Sequence, residues 1–113
     1  MFGRVVIYAR DVEAMVAFYC GTFGFEVLRM PGDRIVELRH PGGGAAILLH
    51  PAGKAQKMGQ VLVKLVFDVE DVAGFAAVHP VFGGVHQVDG YCFANGKDPM
   101  GNSVQVSSRA FAY

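Results

Sequence analysis

The sequence predicts a single α+β domain made of two β-α-β-β-β repeats, whose curved mixed sheets enclose a cleft. Three observations lead to this prediction. The chain has 113 residues, which suits one domain and is too short for two independent ones. A pattern of apolar and acidic residues recurs in the second half. Short runs rich in β-branched and aromatic residues alternate with glycine- and proline-containing turns.

The repeat is clearest where residues 4–18 (RVVIYARDVEAMVAF) are set above residues 64–78 (KLVFDVEDVAGFAAV). Each segment opens with β-branched and aromatic side chains, which favour a strand. A helix is expected next in each copy. Asp11 and its counterpart Asp71 stand where an N-cap is needed, because a short carboxylate accepts hydrogen bonds from first-turn amides.

Each helix must then end before three further strands. Gly21 offers a C-terminal stop for the first helix, and Pro80 ends the second. The repeats occupy residues 1–50 and 61–109, joined by a polar, glycine-containing linker at 51–60. Hairpins after one helix favour a curved mixed sheet with the helix on one face. The expected strands are 25–30, 35–40, 45–50, 85–88, 91–94 and 103–107.

Composition and charge argue against some classes of binding partner and indicate the compartment and the oligomeric state. Ten basic and ten acidic residues are interspersed, so nothing in the charge pattern suits nucleic acid or an anionic membrane. The sequence contains no apolar run near the ~20 residues of a membrane span and no signal-peptide pattern. Cys20 and Cys92 are isolated, which predicts reduced thiols in a cytoplasmic protein. A hydrophobic fraction of 52% is high for this length and predicts a homodimer.

Two stretches carry a family resemblance. Residues 5–24, with Asp11 and Phe18-Tyr19, lead into Phe23-Gly24-Phe25, and residues 98–102 read Asp-Pro-Met-Gly-Asn. Together they resemble the vicinal oxygen chelate superfamily, which includes glyoxalase I, extradiol dioxygenases, fosfomycin resistance proteins and bleomycin-binding resistance proteins. The resemblance implies the glyoxalase/bleomycin resistance/dioxygenase fold. It leaves the function open, because members range from metalloenzymes to metal-free drug-sequestering proteins.

The resemblance also assigns four metal-ligand positions. In metal-dependent members they hold His or Gln, Glu, His and Glu, whereas this sequence has Arg4, Leu48, Lys64 and Gln105. A guanidinium and an ammonium would repel a divalent cation, an alkane cannot coordinate one, and an amide is a weak ligand. The sequence therefore predicts no metal cofactor.

Two residues keep an enzymatic alternative open. If the last strand of the first repeat is shifted by two residues, His50 replaces Leu48 on the same face. His50 with Gln105 and Glu37 would then form a minor, rearranged site for a divalent metal. Glu37 and His50 are also candidate acid–base groups for a lyase, an isomerase or a dioxygenase. Glu37 is equally a candidate counter-ion for a neighbouring cation.

Without a metal, the same positions predict a binding site for a small anionic or aromatic organic molecule. An Arg grips a carboxylate through two hydrogen bonds, a Lys adds a compact charge, and a Gln both donates and accepts. Ser107 and Arg109 would extend the polar wall along the final strand. The predicted ligand-binding residues are Arg4, Tyr8, His50, Lys64, Tyr91, Gln105 and Ser107.

Two structural alternatives stand beside this hypothesis. Arg4 and Lys64 can extend to solvent from their strand ends or pair with an acid such as Glu37 or Asp68. The domain can also serve as a dimerisation or regulatory module whose cleft is filled by side chains.

Overall fold

Each predicted repeat forms one β-α-β-β-β unit in the computed structural model, which describes residues 1–112. The first unit comprises Met1–Met58, and the second begins at Gly59. The first contains β1 (Arg4–Ala9), α1 (Val12–Phe23), β2 (Glu26–Leu28), β3 (Val36–Arg39) and β4 (Ala46–Pro51). The second contains β5 (Lys64–Asp68), α2 (Val72–Val78), β6 (His86–Val88), β7 (Tyr91–Lys97), β8 (Ser103–Ser107) and a 3₁₀ helix (Arg109–Phe111).

The two units have the same sheet topology. The strand order is β1-β4-β3-β2 in the first and β5-β8-β7-β6 in the second. The first strand pairs in parallel with the last strand of its unit, and the remaining neighbours are antiparallel. The predicted α+β fold with two mixed sheets is therefore confirmed. None of the described helices is long and apolar enough to cross a bilayer.

Alternation along the last strand of each unit separates a buried face from a more exposed one. In β4, Ile47 and Leu49 are buried, while Leu48 between them is half-buried. In β8, Val104 and Val106 are buried on either side of Gln105. Buried valine, leucine and isoleucine side chains fix the register, because a one-residue shift would move them to the other face.

Both predicted N-caps are present. The Asp11 carboxylate accepts a hydrogen bond of 3.0 Å from the amide of Ala14, and Asp71 accepts one of 3.0 Å from the amide of Gly74. Helix α2 ends at Val78, two residues before Pro80, as expected.

The expected stop of α1 at Gly21 is wrong, because the helix continues to Phe23 and is capped by Gly24. Gly24 has φ of 77°, a left-handed conformation that favours glycine, and its N–H donates to the Cys20 carbonyl at 3.0 Å. Phe23 packs against Phe18 and Tyr19, with ring centroids 6.0 Å apart in both pairs. This aromatic contact stabilises the extra half-turn.

The Asp98–Asn102 segment is a turn held by one buried carboxylate. Asp98 is 4% exposed and accepts hydrogen bonds from the Met100 and Asn102 amides at 2.9 and 3.0 Å. The Asn102 side-chain amide donates to it as well, at 2.9 Å. The carboxylate thereby satisfies the backbone of the connection between β7 and β8, which gives this motif a structural role.

Two substitutions near the end of α1 should change the free energy of unfolding in opposite directions. Gly21→Ala should raise the free energy of unfolding by about 0.5–1 kcal/mol, because Gly21 is helical and nothing lies within 4 Å of an added Cβ. Gly24→Ala should lower it by about 1–2 kcal/mol, because the added Cβ is strained at positive φ. Urea unfolding of both variants measures this. Two changes of the same sign would contradict the assignment of the cap.

Candidate functional site

The face of the first sheet opposite the buried side chains collects most of the site residues predicted in the first repeat. Arg4, Val6 and Tyr8 alternate along β1 with less exposed neighbours. Parallel pairing sets Val6 beside Leu48 and Tyr8 beside His50. Glu37 of β3 lies opposite Leu48. We call this surface the first face; it consists of Arg4, Val6, Tyr8, Glu37, Arg39, Leu48 and His50.

Glu37 is the charge centre of the first face. Its Oε1 lies 3.8 Å from Nε of Arg4, and its Oε2 accepts a hydrogen bond of 2.5 Å from Nε of Arg39. The Glu37 side chain is 17% exposed, against 57% for Arg4 and 59% for Arg39. One partly buried carboxylate thus forms ion pairs with two guanidinium groups. The ion pair considered for Arg4 and Glu37 is present.

Tyr8 and His50 form an aromatic pair at the other end of the first face. Their ring centroids are 5.1 Å apart at an interplanar angle of 49°. Nδ1 of His50 lies 2.8 Å from the Pro51 carbonyl oxygen. A carbonyl oxygen only accepts, so Nδ1 donates this hydrogen bond. The pair offers an aromatic surface at this end of the first face.

The pairing registers show which residue of β4, Leu48 or His50, corresponds to Gln105 of β8. Leu48 lies beside Val6, two residues after Arg4 on the first strand of its unit. Gln105 lies in the same way beside Val66, two residues after Lys64. Leu48 is therefore the structural counterpart of Gln105, and the two-residue shift that would substitute His50 does not occur.

The corresponding surface of the second sheet is built around one side-chain oxygen. Oδ1 of Asn95 accepts a hydrogen bond of 3.0 Å from Nζ of Lys64 and another of 2.9 Å from Nε2 of Gln105. Nζ of Lys97 donates to Oγ of Ser103 at 3.3 Å. We call this surface the second face; it consists of Lys64, Val66, Asp68, Phe93, Asn95, Lys97, Ser103 and Gln105.

The two lysines of the second face form no ion pair within residues 1–112. Among residues 1–112, the ion pairs are that of Arg29 with Glu13 and the two made by Glu37. Lys64 and Lys97 instead bond to an amide and a hydroxyl. Neutral acceptors leave the lysine charge in place, so the second face is an arrangement of hydrogen-bond donors with a net positive charge.

Ser107, Tyr91 and Arg109 are arranged differently from the expectation. The prediction that Arg109 continues the face of the last strand is wrong, because β8 ends at Ser107 and Arg109 begins the 3₁₀ helix. Ser107 is 2% exposed, and its hydroxyl accepts from the Arg109 amide at 3.1 Å. The Arg109 guanidinium lies 5.3 Å from the Tyr91 ring centroid and donates to its hydroxyl at 3.1 Å. Tyr91 is therefore engaged by Arg109.

The sequence reasoning missed Asn95 and Lys97, because the strand was expected to end at Ala94. Asn-Gly pairs are typical of hairpin turns, yet β7 runs through both residues to Lys97. Gly96 has a packing reason instead: a Cβ there would lie 2.9 Å from the Val81 carbonyl oxygen. The alternation of Phe93, Asn95 and Lys97 was the signal that could have revealed the longer strand.

The residues present do not fit the divalent metal of the metal-dependent relatives. At the four ligand positions that the resemblance assigns, Arg4 is paired with Glu37, Lys64 is bonded to Asn95, and the other two are Leu48 and Gln105. Within the described part of the chain, no three His, Cys, Asp or Glu side chains are grouped so as to hold a metal ion.

The shared carboxylate of the first face gives a stability prediction. Glu37→Gln should lower the free energy of unfolding by about 1 kcal/mol, because it leaves two neighbouring guanidinium groups without an acid. Glu13→Gln is the matched control. Its partner Arg29 is 50% exposed and Glu13 itself 68%, so the loss for Glu13→Gln should be clearly smaller than that for Glu37→Gln. Equal losses in urea unfolding would show that Glu37 is an ordinary surface acid.

Comparison with known proteins adds the family. Residues 1–79 match the sequence model of the Glyoxalase/Bleomycin resistance protein/Dioxygenase superfamily. A search of curated proteins finds no match. Similar solved structures include TnmS3, an antibiotic binding protein from Streptomyces sp. CB03234, at 20% identity and a TM-score of 0.75, covering 94% of this chain and 93% of that chain.

Two further structures have comparable similarity. The lactoylglutathione lyase from Agrobacterium tumefaciens is 24% identical with a TM-score of 0.70, covering 95% of this chain and 92% of that chain. A glyoxalase/bleomycin resistance protein/dioxygenase family enzyme from Burkholderia phytofirmans PsJN is 24% identical with a TM-score of 0.76, covering 94% and 96%. These likenesses show the fold, and the family match covers more than half of the sequence. The chain therefore belongs to the glyoxalase/bleomycin resistance protein/dioxygenase superfamily.

Proposed function

We propose that the protein binds a small anionic or aromatic organic molecule without the help of a metal ion, and that the second face holds its acidic group. The observation that carries this proposal is the convergence of Lys64 and Gln105 on the side chain of Asn95, with no acid of residues 1–112 in an ion pair with the lysine. Such a cluster of donors is suited to a carboxylate or a phenolate, whose oxygens only accept.

The donors of the second face are already ordered before a ligand arrives. Asn95 and Gln105 are half-buried, and both are fixed by the same hydrogen-bonded oxygen. The Lys64 ammonium has three protons and uses one of them on Asn95, so two remain for a ligand. Ordering of side chains in advance reduces the entropy lost on binding.

Apolar side chains adjoin these donors. Val66 on β5, which is 52% exposed, lies beside Gln105 on β8. Phe93 precedes Asn95 by two residues on the same side of β7, and its ring stacks on His86 with centroids 5.1 Å apart. A ligand that carries an aromatic ring next to its acidic group would contact both kinds of surface.

The relatives include both binders and catalysts. One similar structure is described as an antibiotic binding protein and another as a lactoylglutathione lyase, so the fold serves both purposes. A metal-dependent lyase, isomerase or dioxygenase would need imidazole or carboxylate ligands at the positions of Arg4, Leu48, Lys64 and Gln105. The side chains at those positions favour binding through charge.

The binding proposal is tested by calorimetric titration with benzoate and its neutral analogue benzamide, in buffer containing EDTA. Benzoate should bind more tightly than benzamide. Lys64→Met keeps most of the apolar stem and removes the charge, so it should weaken benzoate binding by about 1.5–3 kcal/mol. Lys57→Met, in the exposed loop after β4, is the control and should change neither affinity. Equal affinities for benzoate and benzamide in wild type and Lys64→Met would refute the proposal.

We also propose that the protein is a homodimer. β1 and β5 are edge strands of their sheets, and edge strands favour pairing or covering by a partner. Large apolar side chains near them are exposed: Phe2 is 77% exposed before β1, and Val61 and Val63 are 62% and 59% exposed before β5. Leu62 between them is fully exposed. Apolar clusters of this kind typically mark an interaction surface.

Light scattering at micromolar concentration should give about twice the chain mass of 12.1 kDa. Leu62→Asp should shift the population toward the monomer, since a charge is costly in an apolar interface. A monomer mass for the wild-type protein would rule the homodimer out.

We propose a cytoplasmic location because of the two cysteine thiols. Cys20 and Cys92 are both unpaired. Free cysteines persist in a reducing compartment, whereas secreted proteins of this size commonly form disulfides.

A further inference from the structure

We propose that Asn95 and Lys97 make the second face selective for ligands with two negative charges, an inference that rests on the binding function proposed above. The first and second faces have the same strand arrangement, but the acid Glu37 of the first face is replaced by the amide Asn95 in the second. Neither Asn95 nor Lys97 was among the site residues predicted from the sequence.

The strand registers make the two faces comparable residue by residue. Glu37 lies opposite Leu48 in the first sheet, and Asn95 lies opposite Gln105 in the second. Since Leu48 and Gln105 are counterparts, Glu37 and Asn95 are counterparts as well. The residue two positions further along the same strand is Arg39 in the first sheet and Lys97 in the second.

Each face therefore has a cation on its first strand and another on its third strand, with one polar side chain between them. In the first face that side chain is the Glu37 carboxylate, which contacts both Arg4 and Arg39. In the second it is the Asn95 amide, which accepts from Lys64 and carries no charge. The acid of the first face therefore lies between its two cations, whereas the only acid on the same side of the second sheet among the described residues, Asp68, lies at the far end of β5 beside Ser107.

The two lysines of the second face reach over the same strands. Lys64 starts on β5 and extends across β8 to Asn95 on β7. Lys97 starts on β7 and extends back to Ser103 on β8. Lys64 and Lys97 are also both paired with Ser103 in the strand register, so their backbones flank one residue. Both ammonium groups consequently lie above β7 and β8.

The nearest acids along the chain form no ion pair with Lys64 or Lys97 among the described residues. Asp68 is on β5 but pairs with Ser107, at the end of the strand away from Lys64. Asp98 follows Lys97 directly, but it is buried and accepts the hydrogen bonds of the Met100 and Asn102 turn. A ligand with two negative charges would supply the balance that Glu37 supplies in the first face.

The test compares dianionic and monoanionic acids of similar size. Calorimetric titration at pH 8 in EDTA would use phthalate, phenyl phosphate and benzoate with the wild type, Lys97→Met, Asn95→Asp and Asn95→Ala. Phthalate carries its two charges on two carboxylates, whereas phenyl phosphate carries both on one phosphate group. Comparing the two shows which source of the charges the protein binds. Thermal unfolding of each variant checks that it is folded.

We expect at least one dianion to bind the wild type about tenfold or more tightly than benzoate. Lys97→Met should remove most of that advantage. Asn95→Asp should lower the affinity for every anion by more than tenfold, because it adds the acid that the first face contains, whereas Asn95→Ala should have a clearly smaller effect. Lys57→Met should leave all affinities unchanged.

The failure of this inference is distinguishable from that of the binding proposal. If benzoate binds and depends on Lys64, but neither dianion binds more tightly and Asn95→Asp resembles Asn95→Ala, selectivity for two charges is refuted while the binding function stands. If no acid binds the wild type, both are refuted.

Discussion

The parallel pairing of the first strand with the last strand in each unit determines what the protein can present to a ligand. Buried Ile47 and Leu49 in β4, like Val104 and Val106 in β8, hold the register of that pairing. A shift by one residue would expose them, at a cost of about 1.5–3 kcal/mol for each side chain. The residues between them, Leu48 and Gln105, are thereby fixed on the opposite face.

The same pairing gives two faces of one geometry and different charge. In the first, the Glu37 carboxylate neutralises much of the charge of Arg4 and Arg39. In the second, Asn95 takes the place of Glu37 and leaves Lys64 and Lys97 without an ion pair among the described residues. Fold similarity to relatives at 20–24% identity does not determine such differences, because they depend on single side chains.

Much of the fold could be predicted from the sequence, because the repeat, the Asp11 and Asp71 caps and the β-branched runs are local signals. Errors arose where tertiary contacts override them. The end of α1 depends on the packing of Phe23, and the length of β7 depends on its pairing with β8 as far as Lys97 and Ser103. Because this strand was expected to end at Ala94, Asn95 and Lys97 were not predicted as site residues. Arg4, Lys64 and Gln105 were found, but their partners depend on cross-strand registers that the sequence alone does not specify.

We propose that a small organic anion binds this protein through Lys64, Asn95 and Gln105 without a metal ion. The most direct measurement is an NMR titration of ¹⁵N-labelled protein with benzoate in EDTA, following the side-chain amide signals. The Asn95 and Gln105 amides should shift and saturate together, while the Asn102 amide, which is bonded to Asp98, should not move. Unchanged Asn95 and Gln105 signals, or shifts that appear only after a divalent metal is added in place of EDTA, would contradict the claim.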